Sequence, residues 1–261
     1  MRAKKILSLE ISMRIETHSH TCHSLDSLSL VEDIVDYCVK RNVDAIIIND
    51  HDNCELDADE RALFSDKNIT VLTAIEFTTQ EGVHVIGIGD AIDKLQAKMY
   101  HYSSVEIVKL LIENSYYVLL PHPSHATGVL GNHKISKEGQ GFLIKNSHFI
   151  EKDNFRYGPS KSEHLSQIDE INPKIQCLIG SDAHSAKDTG AYLNEIDCSS
   201  ENTSEIMTLL YEGEIAHIYN MRRSRGYFAW RRVKKSKVYQ AIINILTPDT
   251  RRKIKNFLHL E

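Results

Sequence analysis

Short apolar segments alternate with helical ones along most of this chain, and this alternation limits the possible folds more than any other feature. The run DAIIIND, at 44–50, is rich in β-branched residues and ends in polar ones, which is typical of a strand buried on both faces. Segments 29–42 and 103–115 have helical spacing of their apolar residues. This order predicts an α/β fold with a parallel sheet, open or closed. Further strands are expected at 69–76, 82–89, 116–122, 147–151 and 175–184.

Local structure can be predicted for two further segments. Ser29 is expected to cap the first helix, with Glu32 completing a capping box. Residues 128–165 are mostly polar and show no helical pattern before about Ser162. They are therefore expected to form a long loop, a feature that is often functional in compact domains.

The composition is that of an ordinary globular protein. The chain has 261 residues, of which 41% are hydrophobic and 26% charged, and this length allows a single domain. No apolar run approaches the roughly 20 residues that a membrane-spanning helix needs. The five cysteines are odd in number and form no C-x-x-C pair. Such cysteine usage indicates a reducing compartment, so a cytoplasmic location is predicted.

Polar side chains follow five of the predicted strands at the point where each strand ends. Because the carboxyl ends of parallel strands meet at one rim, these side chains are expected to lie close together. Imidazoles and carboxylates are the ligands that zinc, manganese and iron accept, so the pattern predicts a metal site. The residues are His18 and His20, His51, Glu76, His122, and Asp182 with His184.

Each motif by itself has an ordinary explanation. The H-x-H pair can be a polar turn, and Asp182 can be the N-cap of a helix. His51 can form a salt-bridged loop with Asp50 and Asp52. The recurrence of such residues directly after strands nevertheless favours a single site. His101, His133, His148, His164, His217 and His259 are expected at the surface, with His23 and His125 near the rim.

The same segments resemble the motifs of the PHP (polymerase and histidinol phosphatase) family. THSHTCHSLDS resembles its first motif, INDHD the second, LPHP the third and GSDAHS the fourth. Glu76 of AIEFTT stands at the family's glutamate position. The resemblance covers about residues 13–218. It implies a distorted seven-stranded (β/α) barrel with two or three divalent ions (Mn, Zn or Fe) at the rim.

The resemblance also implies which residues hold these ions. One ion would be held by His18, His20, Glu76 and Asp182. Glu76 would bridge to a second ion, which His122 also binds. A third ion would be held by Asp26, His51 and His184. His84 is either a further ligand or a residue that orients Glu76.

The implied activity is that of a metal-dependent phosphoesterase. A metal-activated water would hydrolyse a phosphomonoester or phosphodiester of a small metabolite, nucleotide or short oligonucleotide. The candidate catalytic residues are His51, His184 and Asp52, of which a histidine would protonate the leaving oxygen. Asp50 and Asp52 are expected to fix the tautomers of neighbouring histidines.

Two departures from the family pattern bear on the metal preference and on the substrate. Asp26 stands where some members have histidine, and no basic residue directly follows His122 to bind a phosphate. One alternative is a non-catalytic PHP module whose structural metal site supports a partner. Another is a metal-dependent hydrolase of a non-phosphate bond.

Charge divides the chain unevenly. Residues 221–261 carry 12 basic and 2 acidic side chains, whereas the remainder carries 19 basic and 34 acidic ones. The predicted parts are an N-terminal extension (1–12), a PHP phosphoesterase domain (13–220) and a basic helical tail (221–261). The tail is expected to pack on the acidic body or on a second subunit, or to bind nucleic acid or a membrane surface. A homo-oligomer and a peripheral membrane location are the corresponding partner predictions.

Overall fold

The computed structural model describes residues 12–95 and 101–222, which form one curled sheet with helices packed on it. The predicted extension and tail lie outside these residues, except that Ser12 begins the first strand and 221–222 are described. The helices are α1 (Val31–Lys40), α2 (Ala58–Ser65), α3 (Ser104–Glu113), α4 (Lys137–Lys145), α5 (Ser162–Ile171) and α6 (Thr203–Glu212). The strands are β1 (Ser12–Ser19), β2 (Ala45–Ile48), β3 (Thr70–Thr78), β4 (His84–Ile88), β5 (Tyr117–Leu120), β6 (Phe149–Asn154), β7 (Gly158–Pro159), β8 (Gln176–Gly180), β9 (Tyr192–Asp197) and β10 (Ala216–Tyr219).

The sheet is mixed, whereas the sequence predicted a parallel one. Its strands follow the order β10–β9–β1–β2–β3–β4–β5–β6–β7, and β8 pairs with β6. Strands β1 to β3 are parallel to one another, as are β5, β6 and β8, but β4 is antiparallel to both its neighbours. Residues 79–83 are too few for the crossover that a parallel pair requires, so the chain turns back as a hairpin. Strand β9 is likewise antiparallel to β1 and β10.

An apolar cluster fills the inside of the curled sheet. Strands β1 to β6 and β8 each contribute to it, and Ile206, Met207 and Leu210 of α6 join it. Side chains alternate between the two faces of a strand, so residues two positions further along face the same interior. The inner strand residues include Ile15, Ile47, Leu72, Ala74, Ile86, Leu119, Phe149 and Leu178.

The helices cover the outside of the sheet. Apolar residues of α1 and α2 pack in one cluster with β2, and those of α3 and α4 pack in another with β4 and β5. Helix α3 has the sequence signature of a capping box, which Ser103 and Glu106 form. Within residues 12–95 and 101–222, no helix is long and apolar enough to cross a membrane.

Two local predictions are wrong. The N-cap of α1 is Leu30, and the Ser29 hydroxyl instead accepts a hydrogen bond from the Ser27 hydroxyl. Helix α4 lies within the predicted loop at 128–165. Gly139 and Gly141 lower its helix propensity, but Leu143 and Ile144 bury their side chains and Ser136 caps its start.

Strands β1 and β8 meet at the rim through backbone hydrogen bonds. The N–H of His20 donates to the Ala183 carbonyl at 2.9 Å, and the Ala183 N–H donates to the His18 carbonyl at 3.2 Å. Beneath them the fully buried Glu16 carboxylate accepts from the backbone N–H groups of Ser181 and Gly190. Burial raises the pKa of Glu16 to about 7, although these hydrogen bonds act against the rise. The first strand is thereby fixed to the segment that carries Asp182 and His184.

His148, which was expected at the surface, is partly buried against the rings of Tyr117 and Tyr211, and this burial predicts a pH dependence of stability. The Val118 N–H donates to Nδ1 of the partly buried His148, and burial lowers the pKa of this histidine. The unfolded chain therefore binds the proton more readily, and stability is lost as the pH falls below about 6.5. His148→Asn keeps a hydrogen-bond acceptor but does not titrate. It should therefore reduce the pH dependence of the free energy of unfolding by the contribution of at most one proton. Urea unfolding of both proteins between pH 5 and 7.5 measures it, and equal pH slopes would contradict the assignment.

Candidate metal centre

The carboxylate of Glu76 lies at the centre of a cluster of histidines. It is 1% exposed, and its Oε2 lies 3.0 Å from Nε2 of His18 and 3.2 Å from Nε2 of His20. Its Oε1 lies 2.7 Å from Nδ1 of His84 and 3.5 Å from Nε2 of His122. Side chains from β1, β3, β4 and the segment after β5 therefore meet at one carboxylate.

A second group of ligand-type residues adjoins the first. Nε2 of His184 lies 2.6 Å from Oδ2 of Asp26, and its Nδ1 lies 3.1 Å from Oδ1 of Asp182. His51 joins the two groups, because its Nε2 is 3.9 Å from Oδ2 of Asp26 and 3.8 Å from Oε2 of Glu76. The structure thus brings together the strand-end residues that the sequence singled out, together with Asp26 and His84.

Strand alternation explains how Glu76 and His84 reach the interior. Glu76 lies two residues beyond Ala74, and His84 lies two residues before Ile86, and both apolar residues belong to the inner cluster. The reversed direction of β4 puts its first residue, His84, beside the end of β3, where it pairs with Thr78. A parallel β4 would have placed His84 at the opposite end of the sheet.

Three other histidines depend on backbone irregularities. His18 has the opposite parity to Ile15, but the register of β1 against β2 shifts between Glu16 and Ser19, as in a β-bulge. Such a bulge reverses the alternation and turns His18 and His20 inward. His122 has a φ of 32°, in the left-handed region that non-glycine residues rarely adopt.

Asp182 is held in the site and does not cap a helix. Its φ is 49°, and its Oδ1 lies 3.2 Å from Nη1 of Arg156 and 3.7 Å from Nε2 of His20. The Asn154 side-chain amide donates to its Oδ2 at 3.4 Å. Left-handed backbone at a non-glycine residue costs about 1–3 kcal/mol and is found mainly where surrounding contacts require it.

The donor set fits divalent metal ions. Neither ring nitrogen of the buried His20 makes a well-aligned hydrogen bond with the described residues, although its Nε2 lies 3.2 Å from Oε2 of Glu76. This burial is costly unless a ligand supplies a partner. His122 lies beside Glu76 but outside the tightest groups of donor atoms. Three such groups have their donor atoms within 4.8 Å of one another: His20, Asp26, His51 and His184; His18, His20 and Asp182; and His51, Glu76 and His84.

The electrostatics of the site suit cation binding. Burial lowers the pKa of His20 to about 3, and the neighbouring His184 adds to the effect. Burial opposes ionisation of Glu76, but His51 and His18 hold its pKa well below the usual value. Burial likewise opposes ionisation of Asp182, and Arg156 holds its pKa well below the usual value. These carboxylates are therefore ionised and His20 neutral at neutral pH, as metal ligands need to be. Burial opposes protonation of His18, but Glu151 and Glu76 hold its pKa well above the usual value, so this ring has to lose a proton when an ion binds.

Asp50 and Asp52 accept hydrogen bonds from threonines, whereas they were expected to orient histidines. The Asp50 carboxylate accepts hydrogen bonds from the backbone N–H and the hydroxyl of Thr21, at 2.6 and 2.5 Å. Oδ1 of Asp52 accepts from the Thr78 N–H at 2.8 Å. His23, expected near the rim, is held in the loop by Glu60, whose Oε2 lies 2.8 Å from its Nε2.

Strand β6 and the turn after it supply residues to which the sequence analysis assigned no role. Oε1 of the fully buried Glu151 lies 2.7 Å from Nδ1 of His18, and its Oε2 accepts from the His122 N–H at 2.8 Å. The Asn154 amide donates to the same oxygen at 2.8 Å. Glu151 therefore orients the His18 ring, which is the role that was expected of Asp50 and Asp52. The only sequence signal for it was the likeness of FIEKDN to an I-E-x-x-N segment of the PHP family.

Comparison with known families agrees with the residues gathered at the rim. The model of the family described as PHP domain matches residues 16–228, which is most of the chain. The chain belongs to the PHP domain family. The family resemblance drawn from the sequence is thereby confirmed, and with it the prediction of a PHP-type enzyme at family level. No curated protein matches the chain in sequence.

Solved structures with low sequence identity share the fold of this PHP chain. One is a two-domain protein from Bacteroides vulgatus, described as containing a predicted PHP-like metal-dependent phosphoesterase, with 16% identity and a TM-score of 0.60. The match covers 80% of this chain and only 65% of that protein. PsfC from Pseudomonas syringae has 12% identity and a TM-score of 0.56, covering 89% and 99% of the two chains. Endonuclease Q, in complex with duplex DNA containing an abasic lesion, has 14% identity and a TM-score of 0.60, covering 78% and 58%.

The contacts of Glu151 predict an effect on metal affinity. Glu151→Gln cannot accept from both the His18 ring and the His122 backbone, because one of its terminal atoms is an amide donor. Removal of such a histidine-orienting carboxylate typically weakens metal binding by about 10- to 100-fold. Competition with a chelating dye measures the affinity. Glu163→Gln is the control, since the Glu163 side chain is 72% exposed. Equal metal affinity in Glu151→Gln and the control would contradict the role of Glu151.

Proposed function

We propose that this chain is a metal-dependent phosphoesterase that hydrolyses a phosphomonoester or phosphodiester of a small metabolite, nucleotide or short oligonucleotide. The observation that carries the proposal is the convergence of imidazoles from several strands on the buried carboxylates of Glu76 and Asp182. Membership of the PHP domain family supports it. The DNA substrate of Endonuclease Q, a protein with the same fold, gives reason to include oligonucleotides among the candidates.

The proposed metal ligands are those implied by the family motifs. One ion would be held by His18, His20, Glu76 and Asp182. A second ion would be held by Glu76 together with His122. The proposal places Asp26, His51 and His184 at a further ion, and His84 beside Glu76. Two or three ions of manganese, zinc or iron would suit these donors. We also propose that β1–β6 and β8 form the family's seven-stranded barrel, since the bridge between Ser19 and Ala183 joins its first and last strands.

The residues of the chain have distinct parts in the proposed reaction. When bound, divalent ions would neutralise charge on the phosphoryl oxygens and lower the pKa of a water. Glu151 orients the His18 ring and the backbone at His122, which keeps the donors in place. Of the candidate proton donors, His51 is the more exposed at 17%, whereas both nitrogens of His184 lie close to carboxylates. This favours His51 as the group that protonates the leaving oxygen when it is not engaged as a ligand of the further ion.

The two alternatives are less well supported. A non-catalytic module would have no need of a complete donor set, yet both nitrogens of His20 remain available and Asp182 is held in a strained conformation. A hydrolase of a non-phosphate bond would use the same centre. The substrate panel therefore has to include amides and carboxylic esters as well as phosphoesters.

Loss of a proposed ligand should abolish the activity without unfolding the chain. Metal-loaded protein is assayed against nucleotides, oligonucleotides, phosphosugars and the non-phosphate substrates. His18→Ala and Asp182→Ala should lower kcat/KM by more than the roughly 10- to 100-fold expected for an outer partner of a ligand. His133→Ala, at an exposed histidine, should keep the parental rate. Retained phosphoesterase activity in the folded double variant would contradict the proposal.

The basic tail is proposed as a contact for an anionic membrane surface, with nucleic acid or packing on the acidic body as the other readings. It has basic residues interleaved with Tyr227, Phe228 and Trp230, the composition of a segment at a membrane interface. The described cysteines are all free, which favours a cytoplasmic location, at the membrane surface if the tail binds there. A homo-oligomer held by the tail stays a prediction.

Vesicle binding tests the role of the tail. Full-length protein should sediment with vesicles containing anionic lipid at low salt, and less at high salt, because charge attraction is screened. Replacing Arg231, Arg232, Lys234 and Lys235 by glutamine should reduce sedimentation. Neutral vesicles are the control for apolar binding alone. If parent and variant both stay in the supernatant, the membrane contact is wrong, and gel filtration then tests the oligomer.

A further inference from the structure

A guanidinium lies against the candidate metal centre from the turn between β6 and β7. Nη1 of Arg156 lies 3.2 Å from Oδ1 of Asp182 and also contacts Nδ1 of His184, and the Arg156 side chain is only 15% exposed. We propose that Arg156 binds the phosphoryl group of the substrate, and that occupation of the metal centre releases it from Asp182 and His184 for this role. The inference rests on the proposed phosphoesterase function.

The turn that carries Arg156 is held rigidly by its backbone. Oδ1 of Asn154 accepts hydrogen bonds from the N–H groups of both Arg156 and Tyr157, each at 2.9 Å. Phe155 is 1% exposed and packs in a cluster with Ile179. A change of partner by Arg156 therefore requires only a rotation of its side chain. Such fixed placement lowers the entropy cost of binding an anion.

Charge makes a bound cation and Arg156 competitors for Asp182. Nη1 of Arg156 lies 3.2 Å from Oδ1 of Asp182, and the same oxygen lies 3.7 Å from Nε2 of His20 and 3.1 Å from Nδ1 of His184. A cation held by Asp182 would reduce the negative charge that attracts the guanidinium, and the two positive charges would repel each other.

A phosphoryl group is the partner that suits the released guanidinium. Its planar donors match two oxygens of a phosphate, and such pairs are among the stronger hydrogen-bonded contacts in proteins. The turn also spans the centre, because the Tyr157 ring lies 4.9 Å from the His122 ring while Arg156 reaches Asp182. An ester bound at the metals would lie beneath this turn. The turn after β6 would thus supply the basic residue that the sequence lacks after His122.

Binding of inorganic phosphate to the metal-loaded, full-length protein tests the inference. Arg156→Gln should bind phosphate about 10- to 100-fold more weakly, the loss expected for a charged hydrogen bond. Arg156→Lys keeps the charge but loses the planar pair of N–H donors, so its phosphate affinity should lie between those of Arg156→Gln and the parent. Lys161→Gln removes a side chain that is 60% exposed and should bind as the parent does. Metal content and thermal unfolding are measured on each sample.

The metal affinity of Arg156→Gln is the second readout. It should equal or exceed that of the parent, because a competing cation has been removed; weaker metal binding would overturn the release step. Equal phosphate affinity in parent and Arg156→Gln, at equal metal content, would overturn the phosphate-binding role, as would a loaded parent that binds no phosphate.

Hydrolysis assays on the same samples separate this inference from the proposed function. If the parent hydrolyses phosphoesters and Arg156→Gln keeps its phosphate affinity, the role of Arg156 is wrong and the proposed function stands. If the parent hydrolyses none of the panel but binds phosphate through Arg156, the anion site stands and the proposed function is wrong.

Discussion

Burial of the Glu76 carboxylate is the constraint on which the rest of this fold depends. An ionised carboxylate that is 1% exposed is stable only if compensating groups surround it. Because β3 lies in the middle of the strand order, those groups have to come from the strands on either side of β3. His18 and His20 come from one side and His84 and His122 from the other, which requires the sheet to curl. The curvature, the bulge in β1 and the reversal of β4 all serve this geometry.

The sequence contains the alternation that places part of the site but not the irregularities that place the remainder. Glu76 and His84 share the parity of the apolar residues beside them, so the strand pattern alone sets their direction. His18 does not share the parity of Ile15, because the pairing of β1 with β2 includes a one-residue shift in register between them. The positive φ of His122 and of Asp182 similarly depends on long-range contacts. Local patterns thus predict the α/β fold and the rim, while tertiary pairing decides which atoms face one another.

Strand β6 shows the limit of sequence reasoning most clearly. Glu151 lies two residues beyond the inner residue Phe149, so strand alternation accounts for its inward direction. That it meets His18 depends on the long-range pairing of β6 with β5 and β8, which the spacing of FIEKDN does not indicate. The helix before it, α4, was missed because its glycines weaken the local signal, whereas burial of Leu143 and Ile144 supplies the stability. The expected all-parallel sheet was wrong because short connections allow hairpins. For Glu151 and α4, packing between distant segments decides what the local pattern leaves open.

The proposed metal donors and the turn that carries Arg156 lie on different parts of the fold. The donors Glu76, Asp182 and His20 sit on strand ends that the apolar interior keeps in place, and this arrangement accompanies a fold shared with proteins of only 12–16% identity. The turn at 155–157 lies outside that interior, and loops of this kind vary without loss of the scaffold. Fold similarity therefore does not identify the molecule on which the centre acts. The choice of substrate has to be sought in what Arg156 and Tyr157 can touch, because these side chains border the space above the ligands.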